Sequence, residues 1–164
     1  MRIGKRWAVV LSVLALTGCA APTSDATEID QQAVAGEIRE FADAFWEAWR
    51  DGDSGLDRAM AFFEDHADFA YAAQGTVWRS LSEVTETFRM AFEVVEAQNI
   101  EIQETVITVL GQDLAYLVQS GAYSMTDTDG VASETRTFVF SGLLMRTASG
   151  WRVRSAHVSE PCVG

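Results

Sequence analysis

The stretch TRTFVFSGLLMRTASGWRVRSAHVS, residues 135–159, decides the fold. A long apolar run, a Ser149-Gly150 turn and a second run ending in a histidine predict two antiparallel strands joined by a short turn. Successive side chains of a strand point to opposite faces, which groups Trp151, Val153, Ser155 and His157 on one side. Arg152 and Arg154 fall on the other. Unpaired charge is costly to bury, so the arginine face is assigned to solvent. His157 is then expected to point, with Trp151 and Val153, into whatever the sheet covers.

Working outward, the preceding segments read the same way. Ile100 to Leu110, Leu114 to Thr126 and Val131 to Arg146 alternate or run apolar as strands do. They are separated by Gly111-Gln112-Asp113 and Asp127-Thr128-Asp129-Gly130, residues that favour turns. Together with the last strand they form a four-strand meander. Before it the period changes to that of helices. Val34, Ile38, Phe41, Phe45, Ala48 and Trp49 recur every three or four residues from Asp30 to Asp51, where Gly52 stops the helix. Leu56 to Glu64 predicts a short second helix after an Asp51-to-Gly55 turn. Phe69 and Tyr71, then Gln74-Gly75, then Val77 and Trp78 predict a small hairpin. Ser80-Leu81-Ser82-Glu83 is a capping box opening a third helix that runs to about Ala97. Three helices gathered on a curved antiparallel sheet make an α+β fold.

The order Phe45-Trp46-x-x-Trp49-x-x-Gly52-Asp53, Phe69-x-Tyr71, Gly75-x-Val77, the capped helix, Gly150-Trp151-Arg152-Val153 and His157-Val158-Ser159 resembles the SnoaL-like branch of the NTF2-like superfamily. The resemblance covers about Ile29 to Pro161. It implies a cone-shaped cavity between sheet and helices, and an outer sheet face that often forms a dimer interface. Relatives include ketosteroid isomerase, scytalone dehydratase, polyketide cyclases and proteins without known catalysis.

The N-terminal segment has a different character. Arg2, Lys5 and Arg6 precede an apolar run from Trp7 to Leu16, the layout of an export signal and too short for a membrane-spanning helix. Leu16-Thr17-Gly18-Cys19 resembles the lipobox of bacterial lipoproteins, which implies diacylglyceryl transfer to Cys19 and anchorage in a bacterial cell envelope, on the extracytoplasmic side. Residues 1–18 are therefore read as the signal, 19–28 as a polar tether, 29–161 as one domain and 162–164 as a tail. A domain of this length buries roughly 68 to 70% of its unfolded surface and needs no staples. Across the chain there are 12 basic and 24 acidic residues. So acidic a chain repels nucleic acid. Lys5 is the only lysine, so the domain has none to serve as a nucleophile.

Two histidines are available for chemistry. His157, if inward, is either a base or hydrogen-bond donor to a ligand or a core residue closing the sheet. His66 lies among Glu64, Asp65 and Asp68, an arrangement that suits a solvated helix end. Tyr71, Trp78, Tyr116, Tyr123, Phe138 and Phe140 are the aromatic residues expected to line a cavity, though a packed core uses the same residues. Glu134 and Arg136 share a strand face with Phe138 and form either a pair at the cavity mouth or an exposed edge. No cofactor or metal site is expected: Asp127 to Gly130 starts like a calcium loop but lacks its later ligands.

Three functions remain in view: a membrane-anchored module binding a small apolar or amphipathic ligand, an isomerase, dehydratase or cyclase using His157 with a tyrosine, and a dimerising domain with a closed cavity. The lipobox makes one prediction directly. Cys19→Ala should move the protein from the membrane fraction to the soluble one; a wild type that carries no labelled lipid would contradict it.

Overall fold

The computed structural model describes residues 29–161. The residues read as signal and tether, with Cys19 and Cys162, lie outside that range. Helix α1 (Gln31–Trp49) begins at Asp30, whose carboxylate accepts from Ala33 N at 2.9 Å. It buries Val34, Ile38, Phe41, Phe45, Ala48 and Trp49, the stripe read from the sequence. Helix α2 (Gly52–Met60) starts four residues before its expected position, because Gly52 adopts φ 54° and turns the chain directly into a new helix. A Cβ there would lie 2.4 Å from Val95 O, so the turn packs against the start of the sheet.

The small hairpin is β1 (Ala70–Ala73) and β2 (Thr76–Trp78). Helix α3 (Leu81–Phe92) is capped by Ser80, whose hydroxyl accepts from Glu83 N at 3.2 Å. It ends five residues early, and β3 (Val95–Gly111) takes up the difference. Strands β4 (Leu114–Asp127), β5 (Arg136–Thr147) and β6 (Gly150–Ser159) complete the meander. Asp127 Oδ1 accepts from the backbone N–H of Asp129 and Val131, closing the β4–β5 connection as a turn.

All six strands form one sheet in the order β2-β1-β6-β5-β4-β3. The sheet is mixed, where an antiparallel one was expected, because β1 pairs with β6 in parallel. That pairing joins segments at opposite ends of the domain, and local periodicity carries no trace of it. Register shifts at three places between β3 and β4 mark bulges that bend these long strands around the helices.

A further register shift decides which residues face inward. Leu143 pairs with Ser155 and Leu144 with Val153, which leaves Arg154 as an extra residue in β6. Trp151 and Val153 are buried before the bulge, Ala156 after it. His157 is exposed. Its expected inward orientation is thus corrected: one inserted residue exchanges the two faces of everything downstream. Arg154 is itself drawn in, to 3.3 Å from Glu64 Oε2 and 2.7 Å from His66 Nδ1. His66 Nδ1 also accepts from Asp68 N at 3.1 Å, so His66 belongs to a polar cluster that holds the α2–β1 segment to β6.

At the other end of β6, Trp151 Nε1 donates to Glu37 Oε2 at 2.8 Å, and Arg146 pairs with the same carboxylate. The Arg146 guanidinium lies 4.6 Å from the Trp151 ring centroid. These contacts fasten α1 to the sheet, and they hold the Glu37 carboxyl below its usual pKa, through the Trp151 hydrogen bond first and Arg146 second.

Candidate functional site

A cavity of about 300 Å³ lies between the sheet and helices α1 and α3. Phe45, Trp49, Phe63, Tyr71, Phe138 and Phe140 are buried and form its inner wall. Ala73, Gln74, Thr87, Ala91, Met125 and Glu160 also line it, and each is at least partly exposed, which places the mouth between the β1–β2 turn, α3 and the ends of β4 and β6. Five of the residues expected at a cavity, Tyr71, Trp78, Tyr123, Phe138 and Phe140, line it together. Tyr116 does not: it is 40% exposed on the outer face of the sheet, because its inward neighbours on β4 are Ala115 and Leu117. His157, turned out by the bulge, pairs with Ser141 on that same outer face.

The polar corner of the cavity is built by residues that the sequence did not single out as a group. Since Ala156 faces in after the bulge, so do Val158 and Glu160, both of which line the cavity. Glu160 Oε1 accepts from Tyr123 Oη at 2.9 Å. Of the two readings open for Glu134 and Arg136 the exposed edge holds, both being exposed, and Arg136 approaches Glu160 Oε2 at 4.0 Å. The signal for Glu160 was present in Ala156-x-Val158, an alternation displaced by one residue from Trp151-x-Val153. Tyr71, on β1, packs edge-on against Phe88 at 5.6 Å between centroids.

Both cavity tyrosines are held neutral. Burial, followed by the Glu160 charge, pushes the Tyr71 phenol upward. Burial, then the hydrogen bond to Glu160, pushes Tyr123 up to about 12. A neutral phenol can donate a hydrogen bond, and a carboxylate can accept one. The corner therefore offers both functions to a ligand whose remaining surface meets aromatic walls. Among the described residues no group of three or more His, Cys, Asp or Glu side chains is arranged to hold a metal.

The SnoaL-like domain family matches residues 38–163, and the chain belongs to it. No curated protein matches the chain. Among solved structures, a proposed dehydratase of the NTF2-like family from Streptomyces avermitilis is similar with a TM-score of 0.68 at 18% identity, over 80% of this chain and 99% of that one. A ketosteroid isomerase-like protein from Erwinia carotovora atroseptica gives 0.61 at 21% identity, over 78% and 96%. An NTF2-like protein of unknown function from Shewanella oneidensis gives 0.60 at 18%, over 77% and 98%. These similarities establish the NTF2-like α+β fold, three helices on a curved mixed sheet.

The tyrosine shifts predict a pH dependence. An unfolded tyrosine ionises near 10.0, while Tyr123 in the fold keeps its proton to about 12. Between those values the unfolded chain binds fewer protons than the folded one, so stability is full below the lower value and falls as pH rises through the window. The domain has no lysine to mask this. Urea denaturation at stepped pH should show the fall, and Tyr123→Phe should make it shallower, with Tyr71 carrying what remains; a wild type equally stable across the window would contradict the placement of these phenols.

Proposed function

We propose that this is a membrane-anchored binding module whose cavity holds a small, mainly apolar ligand with a hydroxyl or similar polar group seated against Glu160 and the two tyrosines. The observation that carries it is a largely aromatic cavity with a polar corner, where Tyr123 and Glu160 already share a hydrogen bond. Anchorage rests on the lipobox at Cys19 and would place the domain on the extracytoplasmic side of a bacterial envelope. Glu160 is the one acidic residue in the lining. Isomerase or dehydratase chemistry would need a further proton-transfer group at the reacting atom, so binding is the reading adopted. Naphthol, whose fluorescence responds to its surroundings, is a suitable probe. It should bind the wild type, and Ala91→Trp, which places a bulky ring at the mouth, should abolish binding while leaving the fold intact. Absence of binding by the wild type, or binding indifferent to the blocked mouth, would exclude the cavity as the site.

The partner proposed for the outer face of the sheet is a second copy of the chain. Val106, Tyr116 and Val139 are 48, 40 and 41% exposed there. Val118 and Leu143 are half-buried beside them, and Tyr116 stands opposite Leu143 across β4 and β5. Adjacent strands thus expose one apolar patch without a charged residue at its centre, as interface cores do. Sedimentation of the chain from residue 29 onward should give a dimer at micromolar concentration, and Val139→Asp should give a folded monomer. A wild-type monomer at high micromolar concentration would overturn the dimer.

A further inference from the structure

The β1–β2 connection carries a backbone strain at the cavity mouth. It is a two-residue loop, Gln74 and Gly75, closed by the pairing of Ala73 with Thr76. Both residues have positive φ, 49° and 77°, the tight hairpin turn in which Asn-Gly and Gly-Gly are favoured. Gly75 suits its place. Gln74 is the one residue other than glycine with a positive φ among the described residues, and a Cβ in that conformation crowds the backbone. Asn would carry the same amide at lower cost, because its short polar side chain visits this region more readily. The chain instead has a side chain one methylene longer. Local costs of this kind collect where a side chain serves a site.

The sheet places this turn beside the polar corner. Strand β1 runs parallel to β6, and their last pair is Ala73 with Val158, so both chains leave the sheet at the same end, β1 into Gln74 and β6 toward Glu160. Gln74 and Glu160 both line the cavity. Glu160 is already engaged by Tyr123 at 2.9 Å and approached by Arg136 at 4.0 Å. Of the two amides in the lining, Gln98 is tied down, its Nε2 donating to the Trp49 backbone oxygen at 2.9 Å. Gln74 is exposed at the mouth, and its amide can both donate and accept. We propose that Gln74 is a specificity-determining residue of the cavity: its amide hydrogen-bonds the ligand's hydroxyl beside Glu160, and the left-handed backbone of the turn is kept because the longer side chain reaches that group. The inference rests on the binding role proposed above. It assigns part of the selectivity to the β1–β2 turn, at the expense of the hairpin's own stability.

Gln74→Asn tests strain and reach together. It should raise the midpoint of thermal unfolding by a few degrees, because the turn is relieved. It should also weaken naphthol binding about fivefold, the scale of one hydrogen bond, and leave the affinity for naphthalene, which lacks the hydroxyl, unchanged. Gln74→Gly, which suits the turn and has no amide, should fold as well as the wild type and lose naphthol affinity to the same extent. A residue that serves only the turn would change stability and leave both affinities where they were. That outcome, or an equal loss for naphthol and naphthalene, would overturn the role of Gln74 while leaving the cavity as a binding site. Failure of the wild type to bind either probe would overturn both.

Discussion

Arg154 has no residue opposite it on β5, and the composition of the cavity follows from that one extra residue. Ahead of it Trp151 and Val153 face the helices; beyond it Ala156, Val158 and Glu160 do. A regular strand would have sent His157 inward and left Glu160 outside. The bulged side chain needs partners, and it finds Glu64 and His66 on the segment that follows α2. That segment is already tied to β6 by its backbone, since Glu64 N donates to Val153 O at 2.9 Å and Val153 N to Phe62 O at 2.8 Å. It then continues into β1, which pairs with β6 beyond the bulge and carries Tyr71. One local irregularity therefore fixes both Glu160 and Tyr71 relative to the aromatic wall.

The wall is held by α1. Phe45 lies 5.4 Å from Phe140, 5.8 Å from Phe62 and Phe63, and 4.8 Å from Trp46, mostly edge to face. Each such pair contributes about 0.5 to 1.5 kcal/mol beyond simple burial, so the cluster resists sliding of the helix over the sheet. Trp46 adds a directional restraint. Its indole reaches Gln119, a side chain only 3% exposed whose amide in turn donates to Thr105 Oγ1 at 2.9 Å. A buried amide with both ends paired favours one alignment of α1 on β3 and β4, because any other would strand polar groups in apolar surroundings. The core is consequently packed around Phe45 on one side and open toward Phe88 and Tyr71 on the other.

The parts of this arrangement legible in the sequence are those set by local chemistry. The stripe of α1, the Ser80 cap and the turns of the meander each depend on residues a few positions apart. Tyr71, Trp78, Tyr123, Phe138 and Phe140 could be placed at the cavity because strand alternation holds through their segments. It fails in β6, where a strict period of two carried His157 to the wrong face. The apolar residues themselves record the slip, passing from odd positions at Trp151 and Val153 to even ones at Ala156 and Val158, but Ala156 is too small to outweigh a histidine in such a reading. Tyr116 was misplaced for a related reason: Leu114 to Met145 is apolar at both parities, so neither face of β4 stands out. The parallel pairing of β1 with β6 and the meeting of Tyr123 with Glu160 join distant segments, and only the folded chain contains them.

The cost of leaving polar groups unpaired, more than the fit of the walls, sets what this cavity would exclude. Aromatic side chains accept many apolar shapes, whereas Glu160 and Tyr123 do not tolerate being stripped of water without replacement. A hydrocarbon filling the cavity would press against that corner and offer nothing to the hydrogen-bonding capacity that the Tyr123–Glu160 bond leaves over, a loss of about 1 to 3 kcal/mol for a group so desolvated. An anionic head group would meet the Glu160 carboxylate inside, and outside it would meet a chain with a formal net charge of −12. A neutral hydroxylated molecule avoids both penalties: it donates to the carboxylate, accepts from a neutral phenol and leaves its rings against the wall. Discrimination by unmet hydrogen bonds is steep where discrimination by apolar fit is shallow, so the corner at Glu160 narrows the range of ligands further than the aromatic residues that surround it.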